Sequence, residues 1–109
     1  MSALKINRKH NMEKHKIIKG TFHSDAGHGW LAVKIKHLVE LGLQDKITMY
    51  SYTKGCTVYL EEDYDMMQFC QAAKQQGIEI KIKDSRAKRV YSKIRRYNTY
   101  NASKINLTK

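Results

Sequence analysis

The chain has 109 residues, of which 41% are hydrophobic and 28% are charged, with 21 lysines and arginines against ten acids. This length and apolar content are typical of one folded domain and exclude a wholly disordered chain. No apolar run approaches the roughly 20 residues of a membrane-spanning helix, and the first ten residues lack the apolar segment of a secretory signal. We therefore expect a cytoplasmic protein with no membrane partner.

The positive charge is concentrated at the two ends of the chain. Residues 1–20 carry a net charge of +5, residues 21–84 carry −2, and residues 85–109 carry +8 without a single acid. Basic segments on both sides of a nearly neutral region indicate contact with a polyanion. We therefore divide the chain into a basic N-terminal arm (1–15), a folded domain (16–84) and a basic C-terminal arm (85–109).

The first half of the domain is predicted to contain two strands and a short helix. Residues 15–23 form the first strand, and the turn at 24–29 contains glycines and small residues that permit positive φ. A short second strand follows at 30–33. Apolar residues then recur at helical spacing over 34–41, and Gly42 is placed to end that helix.

A β-hairpin is predicted next. Residues 47–53 and 56–61 alternate in polarity and are rich in β-branched and aromatic residues, with Lys-Gly at 54–55 as a two-residue loop. One face, which includes Met49 and Cys56, is predicted to lie against the core. The opposite face carries three tyrosines: Tyr50, Tyr52 and Tyr59.

The second helix and the last strand complete the predicted domain. Asp65 and Gln68 have the spacing of a capping box, Gly77 ends the helix, and isoleucines alternate with charged residues over 78–83. The order β-β-α-β-β-α-β predicts an α+β fold, in which two helices pack on one face of a mainly antiparallel sheet and basic arms extend from both ends. We expect one core that buries Trp30, Leu38, Leu60, Phe69 and Ile80.

Three motifs resemble a known family. They are Gly-His-Gly-Trp-Leu at 27–31, Tyr-Ser-Tyr at 50–52 and Val-Tyr-Leu-Glu-Glu-Asp at 58–63. With them the chain resembles a family of small, uncharacterised proteins encoded by bacteriophages, plasmids and other mobile elements of bacteria, over roughly residues 22–84. The resemblance implies a cytoplasmic accessory protein of a mobile element in a bacterial host, and it implies no catalytic residue.

The sequence contains only weak signals for catalysis or metal binding. His28, between two glycines, could act as a general acid or base, but without a positioned partner a structural turn is favoured. The histidines and cysteines lack the spacing of a zinc site, and Cys56 and Cys70 are expected to be reduced and buried. The acids of 61–65 are explained by the favourable effect of negative charge at a helix start. We therefore expect a protein that is not an enzyme and needs no cofactor or metal.

The C-terminal segment carries the densest binding signal. Residues 86–100 interleave basic side chains with tyrosines, so that phosphate contacts and stacking surfaces alternate. Helical winding would place Val90, Ile94 and Tyr97 on one stripe of an amphipathic basic helix, and a solvated tail is the alternative. The predicted interface consists of Arg86, Lys88, Arg89, Tyr91, Lys93, Arg95, Arg96 and Tyr97, together with Tyr50, Tyr52 and Tyr59 of the hairpin.

Exposed aromatics on a sheet, beside cationic segments, are typical of modules that bind single strands. We therefore predict a non-enzymatic, sequence-nonspecific nucleic-acid-binding accessory protein of a phage or mobile element, whose partner is RNA or single-stranded DNA. The alternative function is inhibition of a host nucleoprotein complex, as by an anti-CRISPR, with the basic surface docked on that complex. The hairpin tyrosines could equally pack on each other or under an arm. The sequence leaves the oligomeric state open.

Overall fold

The computed structural model describes residues 16–105, apart from the side chains of 87–89, so the predicted N-terminal arm lies outside the described residues. The strands are β1 (Ile17–Asp25), β2 (Gly29–Lys34), β3 (Tyr52–Lys54), β4 (Thr57–Glu61), β5 (Glu79–Arg89) and β6 (Asn98–Thr99). The helices are α1 (Ile35–Glu40) and α2 (Asp65–Gln75), and two 3-10 helices span Lys93–Arg96 and Ala102–Lys104. None of the helices in this part of the chain is long and apolar enough to cross a membrane.

The six strands form one sheet in the order β5-β1-β2-β4-β3-β6. Four of the five neighbouring pairs are antiparallel, and only β1 and β5 run parallel. The predicted α+β class is confirmed. The parallel pair makes the sheet mixed, and β6 is a strand that the sequence analysis did not predict.

The hydrophobic core lies between one face of the sheet and the two helices. Its strand residues alternate along β1, β2 and β4, and its helix residues include Leu38 of α1 and both Phe69 and Ala73 of α2. Gly20 in β1 leaves room for this packing, since a Cβ there would lie 2.9 Å from Leu31 Cδ1 and 3.0 Å from Val33 Cγ1. The strand residues buried in this core are Ile18, Leu31, Val33, Val58 and Leu60.

Both helices end at the predicted glycines. Gly42 has a φ of +73°, and the Leu43 amide donates to the Leu38 carbonyl at 2.8 Å, which is the defining hydrogen bond of a Schellman ending. α2 ends in the same way at Gly77, with a φ of +72°. Local sequence signals were sufficient here because the positive φ and the hydrogen bonds involve only neighbouring residues.

The hairpin forms, but with its register shifted by two residues. Tyr52 pairs with Tyr59 and Lys54 with Thr57, so the two-residue loop is residues 55–56. Glycine at the first loop position, with a φ of +61°, has the geometry of a type II′ turn. Because side chains alternate with a period of two, a register shift of two residues leaves each side chain on the same face of the sheet. Tyr52 and Tyr59 therefore still point away from the helices.

The predicted strand 47–53 is wrong over its first five residues, because β3 begins only at Tyr52. Met49, predicted to face the core, is 68% exposed, and Tyr50 is 70% exposed. The reason is the completely buried side chain of Asp65, whose carboxylate accepts hydrogen bonds at 2.6 Å from the hydroxyls of both Thr48 and Ser51. These contacts hold residues 48–51 against the start of α2. The Glu61 N–H of β4 donates to the Ser51 hydroxyl at 2.9 Å, outside the strand ladder.

The predicted capping box at the start of α2 is also wrong. No side chain caps the helix at its N-cap residue Tyr64. The Asp65 carboxylate binds the 48–51 loop, and the Gln68 side-chain amide donates to the Lys46 carbonyl at 2.9 Å. The side chains of Asp65 and Gln68 therefore connect the helix to the preceding loop. Their residue types and spacing are those of a capping box, but their contacts are tertiary.

The C-terminal segment up to residue 105 folds onto the domain, and the amphipathic basic helix predicted within residues 86–100 is wrong. β5 continues to Arg89, and the chain then returns through a 3-10 helix so that β6 pairs with β3. Ile94 is 3% exposed and Tyr100 is 6% exposed. The Tyr100 hydroxyl donates to the Gln44 carbonyl at 2.5 Å, and burial raises the pKa of this phenol to about 12. Of the three residues of the predicted stripe, Ile94 is buried and Tyr97 is half-buried, whereas Val90 is 85% exposed, so they do not form one apolar face.

Candidate nucleic-acid interface

The sheet face opposite α1 and α2, called here the distal face, carries most of the polar strand residues. Side chains alternate between the faces of a strand, so the residues between the core positions point to the distal face. In-register pairing then aligns them in rows across the sheet. The distal-face residues of strands β1 to β5 include Lys19, Thr21, His23, Ala32, Lys34, Tyr52, Lys54, Thr57, Tyr59, Lys81 and Lys83.

One of these rows consists almost entirely of lysines. Lys19 pairs with Lys81, and Thr57 pairs with both Lys34 and Lys54. Continuing the register of β1 and β2 by two residues brings Lys19 opposite Lys34, so this lysine row (Lys81, Lys19, Lys34, Lys54) crosses five strands. At about 4.8 Å per strand it spans about 19 Å. All four side chains are exposed.

An aromatic cluster of His23, Tyr59 and Tyr97 lies beside the lysine row. The Tyr59 ring is 5.8 Å from the His23 ring and 5.1 Å from the Tyr97 ring, measured between centroids. The Lys54 ammonium lies 5.0 Å from the Tyr97 ring centroid, within cation–π distance. Burial raises the pKa of Tyr59, and burial followed by the charge of Lys93 lowers the pKa of His23. Both rings are therefore uncharged at neutral pH.

Three members of the lysine row and two rings of the aromatic cluster line one groove of about 500 Å³, whereas Lys54 and Tyr97 lie outside its lining. Four lysines line it, and His23 and Tyr59 contribute its aromatic surface. Among the described residues that line the groove there is no carboxylate. A positively charged groove with an aromatic wall can contact phosphates and bases at the same time. The lysines that line it are Lys19, Lys34, Lys81 and Lys83.

Trp30 also lies on the distal face, although it was predicted to belong to the main core. It is only 2% exposed, but its neighbour Leu31 takes the core position in β2, so Trp30 points the other way. His28 stacks on the indole with ring centroids 6.0 Å apart. The Arg95 guanidinium carbon lies 5.5 Å from the indole centroid. Trp30 is therefore buried by the C-terminal segment and the β1–β2 turn.

Asp25 connects that turn to the C-terminal segment. Its buried carboxylate accepts two hydrogen bonds from Arg95, from Nε at 2.7 Å and from Nη2 at 3.0 Å. It also accepts the backbone N–H groups of Gly27, His28 and Ser92. The hydrogen bonds from Arg95 are the main reason why the pKa of Asp25 lies well below its usual range. The carboxylate is thus a clamp that fixes the C-terminal segment on the sheet.

The glycines of the turn serve a different purpose from the predicted one. Positive φ among the described glycines occurs at 42, 55 and 77, and not at Gly27 or Gly29. Gly29 is required by close packing, since a Cβ at that position would overlap the Phe22 ring and the Glu62 carboxylate. The Gly-His-Gly motif therefore permits close approach of side chains and presents backbone donors to Asp25.

We expect Asp25→Asn to lower the melting temperature at pH 7 by about 5 °C or more, because the amide nitrogen would face the donors of Arg95 and Ser92. The pKa of Asp25 in the folded state lies below the ordinary value of 3.8, so the charged carboxylate contributes its full stabilisation above pH 3.8. This contribution is lost as the pH falls towards and through the pKa of the folded state. The difference between parent and variant should thus shrink from pH 5 to pH 2. Circular dichroism melts measure it, with Asp45→Asn, at an exposed acid, as control. A constant difference across that range would contradict the clamp.

The structure separates the residues predicted to bind nucleic acid. Tyr52, Tyr59, Tyr97 and Lys93 lie on or beside the distal face, whereas Arg95 is engaged by Asp25. Arg86 and Arg96 are exposed and do not line the groove. Tyr91 is 61% exposed, and its ring centroid lies 5.0 Å from the guanidinium carbon of Arg95. Tyr50 lies outside β3, at a second cavity. The side chains of Lys88 and Arg89 lie outside the described residues.

The lysine row was missed. Its members alternate with apolar or small residues within their strands, a signal that is visible in the sequence. Their alignment was not visible, because it depends on the placement of β1 between β5 and β2. Lys19 and Lys81 lie far apart in the chain and become neighbours only through that parallel pair.

Cys56 and Cys70 are free thiols and both are half-buried, so the prediction of full burial is wrong. Cys56 lies in the hairpin loop, where the Lys34 ammonium donates to its sulfur at 3.5 Å. Burial raises the pKa of the Cys70 thiol, which keeps it protonated and weakly reactive at neutral pH. Within residues 16–105, no three His, Cys, Asp or Glu side chains are grouped closely enough to bind one metal ion.

Comparison with known proteins finds no family model that matches this chain, no matching curated protein and no matching solved structure.

Proposed function

We propose that the protein binds single-stranded nucleic acid on its distal face without catalysing a reaction and without strong overall sequence specificity. The observation that carries this proposal is the groove in which Lys19, Lys34 and Lys81 of the lysine row lie beside Tyr59. In a phage or other mobile element, such a protein would act as an accessory factor for RNA or single-stranded DNA in the host cytoplasm.

The lysine row supplies the phosphate contacts. Each lysine places a compact charge on a long, flexible side chain, and together the four cover about 19 Å across the sheet. A single strand lying along this row, perpendicular to the β-strands, would bring three or four phosphates within reach. Each neutralised phosphate releases counterions, so the affinity should depend steeply on salt.

The aromatic cluster supplies the base contacts. Tyr59 and Tyr97 are both partly exposed, and burial raises the pKa of the Tyr59 phenol further above neutral pH. Stacking on such a ring is worth about 1–3 kcal/mol per base, and it requires bases that are not already stacked and paired. A duplex offers phosphates but no free base faces, so single strands should be preferred.

Fluorescence anisotropy with labelled ten-nucleotide single strands and the matching duplex tests the proposal. We expect single strands to bind at least about tenfold more tightly than the duplex, because only they can stack on Tyr59. Three or four phosphate contacts predict a log–log salt slope of about −2 to −3 for the distal face. Equal affinity for the duplex would contradict base stacking.

Binding to no oligonucleotide at physiological salt would contradict the whole proposal. The basic distal face would then be better explained as a docking surface for an acidic protein, as in an inhibitor of a host nucleoprotein complex. A salt-resistant interaction with such a complex, isolated by co-purification with and without nuclease, would support that alternative.

A further inference from the structure

A second cavity, of about 440 Å³, lies at the end of the distal face. Tyr52 forms part of its wall and is the direct cross-strand neighbour of Tyr59. The cavity is therefore adjacent to the groove with the lysine row, and one ligand strand can reach both.

The wall of this cavity is aromatic. Tyr50 is 70% exposed and Tyr64 is 56% exposed, an unusual exposure for large aromatic side chains that face a shared cavity. Tyr52 is half-buried, and its ring meets the edge of the Trp30 indole with centroids 6.3 Å apart. Such a set of rings suits a flat ligand that can stack on one ring and contact others at its edge.

Two carboxylates supply hydrogen-bond acceptors in the cavity, whereas Arg95 and His28, which also line it, contact each other at 2.7 Å between Nη2 and Nδ1. Glu61 is only 8% exposed, and its carboxylate is held in place by the backbone N–H groups of Asp63, at 2.7 Å, and Tyr64, at 3.2 Å. Each carboxylate oxygen has more than one acceptor site, so Glu61 keeps the capacity to bind a ligand. Asp63 adds a second, exposed carboxylate. The charge of Arg95 at the cavity edge is already matched by Asp25.

We propose that this cavity binds a guanine base of the strand held on the distal face. The proposal rests on the proposed function and adds a base preference at one position. Guanine presents two adjacent donors, N1–H and the N2 amino group, and can therefore bind a carboxylate with two hydrogen bonds. Adenine and cytosine place an acceptor beside their amino group, and uracil places its single N–H between two acceptors. A carboxylate-lined cavity disfavours these three bases.

Anisotropy titrations with U₁₀ and with variants carrying one G, A or C at each position in turn test this site. We expect one G position to raise the affinity about tenfold or more, as for a two-hydrogen-bond base contact, and A or C to raise it much less. The double variant Asp63→Asn/Tyr50→Ala should remove the preference for G and leave U₁₀ binding nearly unchanged. Asp45→Asn, which removes an exposed acid outside the cavity, should keep the preference.

The outcomes separate the two proposals. Binding of U₁₀ without any preference for G would overturn the guanine site and leave single-strand binding intact, whereas no binding of any oligonucleotide would overturn both. A preference for G that survives both Asp63→Asn/Tyr50→Ala and Glu61→Gln would show that guanine binds elsewhere. Carboxylates among aromatic rings also suit an alkylammonium side chain of a protein partner. Calorimetric binding of a trimethyllysine peptide but not of GMP would therefore overturn the guanine site.

Discussion

Phe69→Ala is expected to lower the free energy of unfolding by about 3–5 kcal/mol. Phe69 is completely buried on α2 and belongs to the core between the helices and the sheet. Removal of its ring forfeits the transfer free energy of the side chain and leaves a cavity that the surrounding strands can fill only in part. Small domains have total stabilities of about 5–15 kcal/mol, so this loss is a large fraction of the whole. Urea unfolding followed by circular dichroism measures it.

Two further variants serve as a surface control and as a milder core substitution. Met67→Ala lies on the same helix but is 53% exposed, and we expect it to change stability by less than about 0.5 kcal/mol. If Phe69→Ala does not fold at all, Phe69→Leu provides a smaller loss, of about 1–2 kcal/mol, that can still be measured. A Phe69→Ala protein that unfolds at the same urea concentration as the parent would contradict the packing of α2 on the sheet.

Features determined by neighbouring residues were predictable from the sequence. The glycine endings of both helices depend on a positive φ and on hydrogen bonds within a few residues. The facing of Tyr52 and Tyr59 depends on the period of two along a strand, which a register shift of two residues does not alter. Their alternation alone therefore placed these tyrosines opposite the core.

Features determined by contacts between distant residues were not predictable in the same way. Asp65 has the sequence context of a helix cap, yet its carboxylate binds Thr48 and Ser51. Residues 86–97 have helical spacing, yet Ile94 is buried on the sheet and Asp25 pairs with Arg95 across 70 positions. In each case a tertiary hydrogen bond or burial site outweighed the local preference.

The candidate site also combines residues that were predictable from the sequence with residues that were not. Its aromatic half, Tyr59 with Tyr97, involves residues that the sequence marked as candidates, although their contact needed the return of the chain through β6. Its cationic half was not predicted, because the four lysines of the lysine row are far apart in the sequence, whereas the basic residues after residue 85 are closely spaced. The structure instead distributes the charges of the lysine row over four strands, β5, β1, β2 and β3, and Arg95 is paired with Asp25 inside the fold.

Replacing the four lysines of the lysine row by glutamine is expected to weaken single-strand binding about 100-fold near 100 mM salt. Each lysine that contacts a phosphate contributes about 0.7 to the log–log salt slope, so the slope should become shallower by up to about three units. The measurement is anisotropy with U₁₀ over a series of salt concentrations. All four side chains are exposed, so the variant should fold like the parent, which a thermal melt verifies.

A charge-matched variant distinguishes local contacts from the effect of net charge. Replacing four other exposed lysines by glutamine removes the same charge but leaves the lysine row intact, and we expect an affinity loss below about fivefold with little change in slope. Tyr59→Leu should show the complementary pattern, a weaker affinity at an unchanged slope, because stacking releases no counterions. Equal losses in the two lysine variants would contradict binding on the distal face, since they would show that only overall charge matters. The four control lysines are Lys36, Lys46, Lys74 and Lys104.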